Sequence, residues 1–123
     1  MRTTGVVLAV VIAASAFAGA AVPAPSSGLR GVVMRGPTKP VCRENEPCEE
    51  PARGLVLRFV RNGVVWAEVT TSRTGAYAVR LRPGRYDVKT AQRRPGVGLT
   101  PRVVRVPEAR VAHLDFHLDT GIQ

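Results

Sequence analysis

The chain has 123 residues, 45% of them apolar, and a formal net charge of +9 from 18 basic and 9 acidic side chains. That is one domain's worth of chain, and with two cysteines it excludes a large multidomain enzyme, a polytopic membrane protein and a disulfide-dense scaffold. Twelve Gly and ten Pro, about 18% of the residues, imply many turns yet stay below the roughly 25–30% of low-complexity chains.

At the start of the chain, Arg2 precedes an uncharged apolar run, residues 5–14, and then Ser15-Ala-Phe-Ala-Gly-Ala20. This is the layout of a secretory signal peptide. It predicts a signal over 1–20, a Pro- and Ser-bearing linker over 21–28 and a folded domain over 29–123. Cleavage fits after Ala18 or Ala20, with Ala20 preferred. The competing reading is an uncleaved anchor, since a spanning helix needs about 20 apolar residues, but no Lys/Arg stop-transfer cluster follows the run. The expected location is therefore extracytoplasmic, at the cell envelope or outside the cell, with no membrane span after cleavage. In such an oxidising compartment Cys42 and Cys48, spaced C-x5-C, most simply form a disulfide, with a metal or redox role as the alternative. A loop this short contributes on the order of 2 kcal/mol and mainly pins a local acidic segment.

Short runs rich in Val, Tyr, Phe and Thr follow, separated by turn signals, and none has helical period. They cover residues 29–35, 55–61, 64–71, 76–82, 85–91, 102–106 and 110–118. Asn62-Gly63 between two runs matches the type I′ hairpin turn, which needs positive φ at both central residues. Gly75 closes a second turn, and Pro83-Gly84 a third, with Pro at the fixed-φ position. Alternation places Tyr77, Val79, Leu81, Ala112, Leu114, Phe116 and Leu118 inside and leaves Arg80, Arg82, His113, Asp115 and His117 outside; Leu55, Leu57 and Phe59 oppose Val56, Arg58 and Val60 less cleanly, a mixed pattern that suits a central strand or a partner-covered surface. The fold class predicted is an all-β, seven-stranded, antiparallel Greek-key β-sandwich, preceded by the signal peptide.

Three local motifs coincide within this pattern. Gly31-Val-Val-Met-Arg-Gly-Pro37, with Pro40-Val-Cys42 and Pro47-Cys48, leads into a strand; Asn62-Gly63 and Thr74-Gly75-Ala-Tyr77 suggest two hairpins; Leu81-Arg-Pro-Gly-Arg-Tyr86 reads L-x-P-G-x-Y. Together these resemble the carboxypeptidase regulatory-like domains, which share a transthyretin-like (prealbumin-like) sandwich, over residues 29–118. Ser72 stands where the family often begins its turn with Asp. The resemblance implies a non-catalytic accessory domain. In L-x-P-G-x-Y the Tyr86 hydroxyl is placed to return to a backbone group just upstream, the tyrosine-corner geometry.

Few residues invite chemistry. His113, Asp115 and His117 fall on one face of a single predicted strand, but at about 7 Å intervals they are too widely spaced for joint ligation of a metal ion, and an exposed polar face is the simpler account. Asp119-Thr120-Gly121 spells the aspartic-protease triplet once, whereas that chemistry needs two carboxylates in one cleft. No cofactor, metal or catalytic residue is expected. Charge is more informative: residues 53–110 hold thirteen basic and three acidic side chains, while Arg43 stands among four glutamates in 43–50. Arg80, Arg82, Arg85 and Lys89, taken to lie on neighbouring strands, form a candidate basic patch for an acidic glycan or other extracellular polyanion, as against a merely solubilising surface. Trp66 is a candidate stacking residue. The expected function is a secreted, non-catalytic binding or accessory module, with carbohydrate as one ligand class; the alternative is an interaction protein pairing through a sheet edge into a dimer or envelope complex. Intracellular nucleic acid is not expected as a partner.

Overall fold

The computed structural model describes residues 25–91 and 98–122. The expected signal peptide, with its cleavage sites after Ala18 and Ala20, lies outside the described residues.

Among the described residues the apolar alternation yields ten strands and no helix: β1 (Gly28–Gly36), β2 (Glu50–Pro51), β3 (Val56–Arg61), β4 (Val64–Thr70), β5 (Ala76–Arg80), β6 (Gly84–Thr90), β7 (Gly98–Thr100), β8 (Val103–Val106), β9 (Val111–His113) and β10 (Phe116–Asp119). They form two sheets. The six-stranded sheet is organised around β1, which pairs with β5 and β9 through its first half and with β2 and β10 through its second, β7 lying beyond β10. The four-stranded sheet runs β4-β3-β6-β8 and is antiparallel throughout. Within 21–28, Ser27 is already buried, its hydroxyl donating to the Leu81 carbonyl, and Gly28 opens β1.

The expectation of seven antiparallel strands is corrected in three respects. The two short strands β2 and β7 are added, and the run 110–118 is broken into β9 and β10. Strand β1 pairs parallel with both β9 and β10, because the chain comes back to β1 by long connections and not through a hairpin. Finally, the turns at 71–75 and 81–83 are arches and not hairpins: β4 and β6 belong to the four-stranded sheet while β5 belongs to the other. At the first arch the buried Thr71 hydroxyl donates to the Ala52 carbonyl and accepts the Leu55 N–H at 2.8 Å, tying down the chain where it leaves β4. At the second, the Tyr86 hydroxyl donates to the Arg82 carbonyl at 2.8 Å with the ring fully buried. This is the corner that L-x-P-G-x-Y predicts, and such a bond contributes about 1 kcal/mol.

The one tight hairpin that the turn chemistry predicts most strongly is present between β3 and β4. Asn62 (φ 52°) and Gly63 (φ 74°) supply both positive φ values of a type I′ turn, with Arg61 opposite Val64. Leu29, Val33, Tyr77, Leu99, Phe116 and Leu118 from one sheet meet Leu57, Phe59, Tyr86, Val88, Val104 and Val106 from the other in a single core. The connection between β1 and β2 is an acidic loop closed by the Cys42–Cys48 disulfide, whose Cα atoms are 5.6 Å apart, within the ordinary range. Lys39 pairs with Glu46 across that loop at 2.9 Å.

Candidate ligand-binding surface

The break between β9 and β10 decides the fate of the His113, Asp115 and His117 face. Gly31 of β1 leaves room for the Leu114 carbonyl to approach the strand, and the Tyr77 hydroxyl donates to that carbonyl. One residue later an Asp115 carboxylate oxygen accepts the Val32 N–H at 2.8 Å and lies 3.0 Å from His113 Nε2. His117 turns instead to Glu49, 3.1 Å away. The two imidazoles thus have different carboxylate partners, and among the described residues no group of three or more His, Cys, Asp or Glu side chains is placed to hold a metal ion. The side chain of Asp115 replaces the strand hydrogen bond that the break removes. The Asp119-Thr120-Gly121 triplet is a terminal turn, in which Asp119 accepts the Gly121 N–H at 2.9 Å and the Thr120 hydroxyl donates to the Pro37 carbonyl at 2.6 Å.

Burial, with the Asp115 charge adding to it, pushes the Tyr77 phenol well above its ordinary range, so the group remains a neutral donor to Leu114. The Val32 N–H, assisted by His113, lowers the Asp115 pKa. A carboxyl whose pKa is lower folded than unfolded contributes stability that is present above the unfolded value, about 3.9, and is lost as pH falls through the folded value. Stability is therefore expected to decline on acidification below about pH 4 more steeply in the parent than in Asp115→Asn, as read by urea unfolding at a series of pH values. Parallel pH profiles for the two proteins would contradict this role.

The four predicted patch residues are not brought together. Arg80 lies in β5 of the six-stranded sheet, where with Arg30, Ala78 and Val111 it lines a shallow depression of about 350 Å³. Arg85 and Lys89 lie on β6 of the other sheet, exposed on the same side as Asp87, and Arg82 sits in the arch between them and Arg80. Lys89 stands opposite Arg58, itself paired with Glu68 at 2.9 Å. All nine carboxylate side chains fall among the described residues. Yet among the described Arg and Lys side chains only Arg35, Lys39 and Arg58 form ion pairs.

A second cluster takes shape on the outer face of the four-stranded sheet. Register places Arg85 directly opposite Arg105, and Asp87 opposite both Val60 and Val103. Val60, Arg61, Asn62, Arg85, Tyr86 and Asp87 line a depression of about 310 Å³. The Arg61 guanidinium lies on the core-facing side, 5.8 Å from the Tyr86 ring centroid; a Cβ at Gly84 would stand 2.8 Å from its Nη1. On the opposite side of Val60 the β3–β4 register shifts between Phe59 and Val60, which pair with Ala67 and Val65 and leave Trp66 as the extra residue of a bulge. Trp66 is 48% exposed, and Val65 51%. Trp66 is thus exposed, and the bulge turns Val65 out beside it. Arg61, Asn62, Asp87 and Arg105 escaped the sequence reading. Their only signal was the Asn62-Gly63 turn, which sets the β3–β4 register; the remaining pairings are non-local.

No family model matches the chain, and no curated protein matches it in sequence. Among solved structures, the Bacillus anthracis TIE protein is similar, with 23% identity and a TM-score of 0.50 over 76% of this chain. The chain spans 16% of that protein's length, and at this identity the likeness concerns the fold alone, a sandwich-like all-β domain.

Proposed function

We propose that the chain is a secreted, non-catalytic binding or accessory module of the transthyretin-like or carboxypeptidase regulatory-like kind, acting on an anionic ligand at the cell envelope. One observation carries this reading: among the described residues most Arg and Lys side chains stand without a carboxylate partner, so the excess positive charge is not neutralised inside the fold. Unpaired surface charge of one sign attracts polyanions and releases their counterions on binding. The Cys42–Cys48 disulfide accords with an oxidising compartment.

The expected result is retention on a heparin or polygalacturonate matrix at low ionic strength, with elution as salt rises and a steep salt dependence of affinity. Passage through both matrices at low salt, or retention indifferent to salt, would overturn the proposal. A second reading, pairing through the free edge of β4, draws on the exposure of Val64, Val65 and Trp66 there. The bulge at Trp66 works against it, because bulges interrupt the regular ladder that edge pairing needs.

A further inference from the structure

The geometry points to a binding site for an anionic sugar chain on the outer face of the four-stranded sheet, with Trp66 as the stacking platform and Arg85 and Arg105 as the anion clamp. The inference rests on the polyanion-binding reading above and gives it a place and a ligand class. Trp66 is the extra residue of the bulge, and its indole stands half exposed beside Val65, which the bulge turns to the same outer side. Beside it Val60 occupies an outward position yet is only 8% exposed, which makes a small apolar floor between the indole and β6. From β4 to β6 is two strand spacings, about 10 Å, a distance longer than one sugar ring.

At the far side of that floor the groups change character. Arg85 and Arg105 are directly opposed across β6 and β8, a like-charge pair that disfavours the empty sheet and is relieved by a shared anion. Arg61 lies on the other side of the sheet, over the core-facing Tyr86 ring, and takes no part in this pair. Guanidinium forks match carboxylate and sulfate in bidentate geometry. Asp87 is exposed on the same side of β6 as Arg85. Asp87 selects among polyanions: a carboxylate in the middle of the site repels a bare polyphosphate or nucleic acid backbone, but it accepts hydrogen bonds from sugar hydroxyls. An apolar ring face, several hydroxyls and an acidic substituent occur together in a uronic-acid or sulfated glycan.

Trp66 is the single Trp of the chain, so its fluorescence reports on this face directly. Titration with oligogalacturonate and with heparin oligosaccharide is expected to quench or blue-shift the emission, and the tighter of the two tells whether carboxylate or sulfate is the preferred substituent. Dextran of similar length is expected to bind at least tenfold more weakly. The pair Arg85→Ala/Arg105→Ala is expected to raise the glycan Kd about tenfold or more, while Arg80→Ala, on the other sheet, leaves it within about twofold. Affinity electrophoresis of Trp66→Ala against the same glycans is expected to show a comparable loss. An unchanged Kd in both the double-Arg and the Trp66 variants, with column retention preserved, would overturn this site while leaving the polyanion-binding reading intact. Absence of any Trp response to all probes, or polyphosphate binding as tightly as the glycans, would overturn it as well. Circular dichroism of each variant establishes that the loss is not one of folding.

Discussion

Gly31→Ala is expected to destabilise the domain by about 3 kcal/mol or more, and Gly31→Val to prevent folding. A Cβ at this position would lie 2.0 Å from the Leu114 carbonyl oxygen and 2.7 Å from its carbon. These are backbone atoms, and no rotamer change can move them aside. The same carbonyl accepts the Tyr77 hydroxyl, and the next residue holds the Val32 N–H; pushing the segment away therefore breaks one half-buried and one exposed hydrogen bond along with the packing. Gly63→Ala makes the informative contrast. Nothing lies within 4 Å of its Cβ, so the cost there is conformational only, about 1–2 kcal/mol for a left-handed residue with a side chain. Urea unfolding of the two variants checks the order. A Gly31→Ala protein within 1 kcal/mol of the parent would show that the β9–β10 connection does not sit against β1.

Phe59→Ala is expected to cost about 3–5 kcal/mol. Phe59 is 0% exposed and, after Tyr86, is the largest of the fully buried side chains, reaching the core from the middle strands of the four-stranded sheet. Removing the ring deletes both its transfer free energy and the contacts of every neighbour left facing the cavity. Against a total stability of about 5–15 kcal/mol for an ordinary domain, such a loss leaves a marginal fold. The measurement is the urea midpoint at unchanged slope, with Val65→Ala, half exposed on the adjoining strand, as the comparison that shifts little. Equal midpoints for the two variants would place the core elsewhere.

The layers and the inward side chains were legible in the sequence because alternation is a local signal: Leu57 and Phe59, Tyr77, Phe116 and Leu118 all occupy the faces their parity assigns. So was the Asn62-Gly63 hairpin, whose geometry two residues determine. The arches were not, since a tight turn such as Pro83-Gly84 specifies how the chain reverses and is silent about which sheet it joins next. Tyr86 held part of that information, for a corner tyrosine belongs where a strand leaves one layer for the other. The break at Leu114 and Asp115 was hidden because each residue keeps the parity of an unbroken strand; only the absence of a side chain at Gly31, 83 residues from Leu114, makes room for it. Likewise Arg80 and Arg85 are close in sequence and lie in different sheets, whereas Arg85 and Arg105, twenty residues apart, face each other.

Strand β1, the earliest described strand, finds its parallel partners in β9 and β10, and Val32 and Asp115, which lock that junction, are 83 residues apart. Loop closure over such a separation must be met before its contacts reward it, which slows folding. The central strand of the larger sheet thus stays without its two parallel neighbours until residues 111–119 have been synthesised and released. A chain wired in this way is held back from premature closure of the larger sheet, so its early strands stay open to one another until the last strands arrive.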